Sequence, residues 1–102
     1  MIEYQKLVRD KIPQIIRNSG HTPITRVLDD EEYLDCLEKK LDEEVAEFHR
    51  DCNGEELADI LEVVYALAAS KGFSKEDLSE IYQKKHEVRG GFEKKLLLIA
   101  SE

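Results

Sequence analysis

Four acidic residues flank one short break in a helix-rich stretch: Glu44 and Glu47 before it, Glu56 and Asp59 after it. The break, Asp51-Cys52-Asn53-Gly54, separates two runs of strong helix formers, so the simplest geometry is an antiparallel helical hairpin. Residues equidistant from the turn of such a hairpin share one height. Glu47 then faces the level of Glu56, and Glu44 that of Asp59. Within each helix the two acids are three residues apart, about 4.5 Å of rise at roughly 1.5 Å per residue. Two rungs of two carboxylates form an oxygen cage suited to a hard divalent cation, with magnesium or manganese favoured over zinc or copper.

The helices that must carry this cage are legible. The first of the pair opens at Asp29-Asp30-Glu31-Glu32, an Asp-x-x-Glu start, and Leu34, Leu37, Leu41, Val45 and Phe48 form one apolar seam. Asn53 can cap the second, which runs to about Ser70. Its stretch from Leu57 to Ala69 carries charge only at Asp59 and Glu62. A helix apolar nearly all round is expected to be buried nearly all round. Asp59 sits on the ridge Glu56, Asp59, Val63, Ala66, where an ionised carboxylate costs several kcal/mol unless a cation or hydrogen bonds compensate. Something positive is therefore expected beside Asp59. Two readings without a metal stay open: Glu43, Glu44 and Glu47 also fit a solvated acidic face, and Glu56 fits the return partner of an Asn53 capping box.

Beyond the hairpin, a short helix is expected from Lys11 to Arg17 with Asp10 as N-cap and Pro13 in the first turn. Ser74-Lys75-Glu76-Asp77 starts a further helix to about Glu87, before Arg89-Gly90-Gly91. Ile24-Thr25-Arg26-Val27-Leu28 and Lys95-Leu96-Leu97-Leu98-Ile99 read as short strands that could pair. The expected fold is all-α, a helical bundle with a small two-stranded β annex, in one domain over residues 1–102.

The net charge of −8 is uneven: residues 1–28 carry +3, residues 29–62 carry −12 and residues 63–102 carry +1. An acidic middle between mildly basic ends disfavours a duplex nucleic-acid binder and suits a metal site whose anionic ligand is gripped by those ends. No apolar run is long enough to span a membrane, and Met1-Ile2-Glu3-Tyr4-Gln5 does not open a signal peptide, so a cytoplasmic location is expected. Cys36 and Cys52 form no CxxC motif and fit reduced cysteines. Other schemes fit worse: His49 follows Glu47 by two where a di-iron bundle needs Glu-x-x-His, and no calcium loop, phosphate-binding glycine loop or nucleophile elbow is present.

Glu43-Glu44-Val45-Ala46-Glu47 followed by Glu56-Leu57-Ala58-Asp59 resembles the two-part acidic signature of the MazG-like all-α nucleotide pyrophosphohydrolases. The opening Lys6-Leu7-Val8-Arg9-Asp10-Lys11-Ile12-Pro13 and the late Arg89-Gly90-Gly91-Phe92 are similar to the small phosphoribosyl-ATP pyrophosphohydrolase-like branch. The likeness extends over residues 4–98. It implies that Glu44, Glu47, Glu56 and Asp59 hold Mg²⁺, with Mn²⁺ as a substitute. It further implies cleavage of a nucleoside triphosphate between the α and β phosphates, a house-cleaning role, and assembly as a dimer or tetramer. Glu43, Glu44 and Glu47 are then the catalytic candidates, and Arg9, Lys11, Lys85 and Arg89 the candidate phosphate contacts. Two alternatives remain: the same site acting on phosphoribosyl-ATP or another nucleotide conjugate, and a non-enzymatic acidic helical interaction module.

Overall fold

A computed structural model describes residues 4–102 and contains four helices: α1 (Ile12–Asn18), α2 (Asp30–Asp51), α3 (Gly54–Ser70) and α4 (Lys75–Arg89). Met1, Ile2 and Glu3, on which part of the leader reading falls, lie outside the described residues.

Each long helix begins where its side chains can satisfy the first backbone N–H groups. Asp29 accepts from the Glu32 amide at 2.8 Å while the Glu32 carboxylate accepts from the Asp29 amide, a reciprocal box. Ser74 and Asp77 do the same for α4. Asn53 accepts from the Glu56 amide at 3.0 Å, but no return bond engages the Glu56 carboxylate. Glu56 is therefore left free to face the hairpin. The turn is tight because Cys52 takes the left-handed conformation (φ 52°) and returns its amide to the Phe48 carbonyl at 2.8 Å. Gly90, with φ 78°, ends α4 in a backbone conformation that L side chains rarely adopt.

The helix expected from Asp10 starts one residue late. Lys11 occupies the N-cap position in a helical conformation and makes no side-chain cap bond, while Pro13 sits in the first turn. The β annex is a correction. No strand is present among the described residues, and the segments expected to pair are irregular. Their apolar side chains are open to solvent: Ile24 is 80% exposed, Val27 96% and Leu98 84%. A two-stranded ribbon with no packed face is marginal in water, so β-branched composition alone does not make it form.

Helices α2 and α3 form the antiparallel hairpin, and α4 packs more lightly on α3. Lys75 spans the latter junction, with its ammonium 4.7 Å from the centre of the Tyr65 ring. Among the described residues, Leu37 and Val63 are the buried apolar side chains and Glu44 the buried charged one. Leu57 and Leu61 on α3 remain about half exposed, against the expectation of burial all round. The radius of gyration is 18.0 Å, where a compact domain of this length has about 13 Å. One chain thus buries Glu44 within the hairpin but leaves the turn and much of its apolar surface uncovered.

Candidate metal centre

The hairpin gathers its acids into two overlapping groups. Glu43, Glu44 and Glu47 form one on α2; Glu44, Glu56 and Asp59 form the other across α2 and α3. In each group one oxygen per residue lies within 4.8 Å of the others. Glu44 belongs to both. The rung of Glu44 and Asp59 comes together, joined by Glu56, whereas Glu47 groups with its neighbours on α2.

Glu44 is only 7% exposed, and its Oε2 atom is buried without a hydrogen-bond partner. Its Oε1 atom faces the Lys40 ammonium at 3.5 Å, and the same ammonium reaches Glu43 Oε1 at 3.8 Å. One half-buried lysine does not balance three crowded acids. Burial, then a hydrogen bond and charge from Glu47, then the charge of Asp59 push the Glu44 carboxyl above the ordinary carboxylate range, against the opposing pull of Lys40. Desolvation first, then Asp51, Glu47 and Asp59, raise Glu56 as well. Each ionised pair at such separations costs on the order of 3 kcal/mol at an effective dielectric constant near 20. A divalent cation reverses the sign of that term, and an all-oxygen donor set matches magnesium or manganese. The residues present therefore fit such an ion.

The positive group expected beside Asp59 is Arg9, whose Nη2 donates to Asp59 Oδ1 at 2.8 Å. Arg9 thus sits at the cage rather than apart from it. A pocket of about 210 Å³ lies here, with Arg9, Asp10, Lys40, Glu44, Asp59 and Glu62 as its charged lining and residues such as Leu37 and Val63 as its apolar lining. Lys85 and Arg89 lie elsewhere. They line a wider, open depression of about 770 Å³ with Tyr82, His86 and the Gly90-Gly91-Phe92 turn, and it shares no lining residue with the acidic pocket. Lys11, exposed at the N-cap position of α1, lines neither. The single chain does not bring all four candidate phosphate contacts together.

Sequence reasoning passed over Lys40 and Glu62. Lys40 had a local signal, since it stands three and four residues before Glu43 and Glu44 on one helix face. The choice of Arg9 as the partner of Asp59, fifty residues away, had none.

No protein-family model matches the chain, and no solved structure matches it. Among curated proteins, the chain is similar to one from Mycolicibacterium smegmatis described as uncharacterized, with 62% identity over 42 residues. That stretch is 41% of this chain and 43% of the relative, so the chain spans less than half of the relative's length.

Proposed function

We propose that the chain is a Mg²⁺-dependent, MazG-like nucleotide pyrophosphohydrolase that acts as a cytoplasmic homo-oligomer and splits nucleoside triphosphates into a monophosphate and pyrophosphate. The observation that carries this reading is Glu44, a buried carboxylate with an unpartnered oxygen at the junction of two acidic groups. Such a group is costly in an ion-free protein and useful in one built to receive a cation.

Glu44, Glu47, Glu56 and Asp59 are the residues that would hold the ion, consistent with the sequence resemblance. An ion held there would supply positive charge for the phosphate oxygens and would make a nearby water easier to deprotonate. Glu43, half-exposed and 3.8 Å from Lys40, or one of the carboxylates that would hold the ion, orients the attacking water and accepts its proton. Water adds at the α phosphorus, the bridge to the β phosphate breaks, and pyrophosphate departs. Of the four candidate phosphate contacts Arg9 is the one at the cage, where Lys40 also stands, and Lys11, Lys85 and Arg89 would have to reach the phosphates from another copy of the chain. Self-association is supported by Leu57 and Leu61 on α3 and by Phe92, 96% exposed, beyond α4.

The test is a panel of NTPs and dNTPs with magnesium, assayed for pyrophosphate. Glu47→Gln and Asp59→Asn are expected to abolish release while far-UV circular dichroism stays helical. Unchanged turnover in both variants rejects the cage. Attack on phosphoribosyl-ATP alone moves the substrate to a nucleotide conjugate, and orthophosphate as the sole product moves the broken bond. Absence of any magnesium-dependent stabilisation favours the non-enzymatic interaction module.

A further inference from the structure

From the contact between Arg9 and Asp59 we infer that the Arg9 guanidinium is an exchangeable occupant of the acidic cage, holding Asp59 until a divalent cation displaces it. The inference rests on the cation site proposed above. Arg9 belongs to the irregular segment before α1, and its side chain bridges fifty residues of sequence to reach α3. Among the described residues it supplies the side-chain hydrogen bond that ties this segment to the hairpin. The bonded atom, Asp59 Oδ1, belongs to a residue of the group that includes Glu44 and Glu56. A cation drawn to that group meets a guanidinium already bound to one of its carboxylates, and like charges at that distance oppose each other.

Exposure decides which occupant prevails. The Arg9 side chain is 57% exposed and that of Asp59 is 40% exposed, so their ion pair is screened and weak. The buried, unpartnered Glu44 oxygen gains from a cation but not from Arg9, whose recorded bond is to Asp59. Displacement therefore follows from the unequal burial of the acids. It leaves a free guanidinium at the mouth of the pocket, where a phosphate oxygen can replace the carboxylate it has lost. Arg9 is a positioning residue in the ion-free protein, and Lys40, held on α2 between Glu43 and Glu44, keeps its place.

Mn²⁺ binding to the full chain, read from the electron paramagnetic resonance of the free ion at low salt, tests the exchange. Arg9→Gln is expected to bind Mn²⁺ about two- to fivefold more tightly than wild type, the range given by an exposed ion pair, with Arg9→Lys between them. In ¹⁵N spectra of wild type, Mg²⁺ is expected to move the Arg9 Nε–H resonance, and Glu44→Gln to suppress that movement. Equal or weaker Mn²⁺ binding by Arg9→Gln, or an Arg9 signal indifferent to Mg²⁺ while the ion binds, overturns the exchange and makes Arg9 a structural brace. Absence of Mn²⁺ binding in both wild type and Arg9→Gln instead removes the cation site itself, and the exchange with it.

Discussion

The first turn of α2 and the middle of the same helix each hold a glutamate beside a cation, and the two carboxyls titrate in opposite directions. Glu32 receives both arms of the Arg26 guanidinium, at 3.1 and 2.7 Å, together with the Asp29 amide. These hydrogen bonds lower its pKa to about 2, the Arg26 bond contributing most. Glu44 has Lys40 at 3.5 Å, yet it is buried beside Glu47 and Asp59 and its pKa is raised. An isolated exposed pair satisfies its acid. A buried acid among other acids stays unsatisfied, even with a lysine at hand. The difference separates a helix-capping device from a candidate cation site, although both are glutamates on one helix.

The largest effect that can break this comparison is the response to magnesium. Wild type is expected to gain thermal stability with Mg²⁺ in a scanning calorimeter, and Glu44→Gln to lose that gain. The ion-free variant should itself be the more stable by on the order of 1 kcal/mol, because an uncompensated buried charge has gone. In a domain of this size that raises Tm by roughly 4–8 °C. A less stable ion-free Glu44→Gln would mean that the carboxylate is already satisfied.

Next in size is the cap. Asn53→Ala removes the acceptor for the Glu56 amide and is expected to cost about 1 kcal/mol. Because this places the start of α3 in doubt, Mg²⁺ stabilisation should shrink in parallel, and paired melts with and without the ion measure both changes.

The pH dependence of stability sharpens the contrast with a smaller signal. A carboxyl raised in the folded state binds its proton more tightly there than in the unfolded chain. The Glu44 contribution to stability is thus greatest below the ordinary carboxylate range and falls as pH rises through its raised value. Ion-free melts from pH 4 upward, roughly the ordinary carboxylate value, should show this fall; saturating Mg²⁺ should flatten it, and Glu44→Gln should reduce it to the share of Glu56. Glu32 behaves in reverse. Its contribution is present above the ordinary range and is lost as pH drops through about 2. Arg26→Gln should return the Glu32 titration toward ordinary values in carbon-detected NMR with little change in Tm, since the pair is exposed. That is the smallest of the expected effects.

Much of the architecture is legible in the sequence because it is local. Asp29 with Glu32 and Ser74 with Asp77 are contacts three residues apart, and the apolar seam containing Leu37 repeats within one helix. The hairpin turn likewise lies within Cys52 and Asn53. The β annex failed for the complementary reason. β-branched residues at 24–28 and an apolar run at 95–99 describe a preference, but pairing needs a packed face that nothing among the described residues supplies.

The candidate site divides in the same way. Residue types and spacing alone determined that acids would cluster about the turn of a two-helix hairpin, because helical rise and equal distance from a turn are properties of the backbone. Only the tertiary structure decided that Glu44 is the buried member shared by both groups, that Glu47 groups with α2 neighbours, and that Arg9 takes Asp59. It also set Lys85 and Arg89 apart from the acidic pocket. Burial and long-range ion pairs depend on which surfaces meet across the chain, and no repeat of three or four residues encodes that meeting.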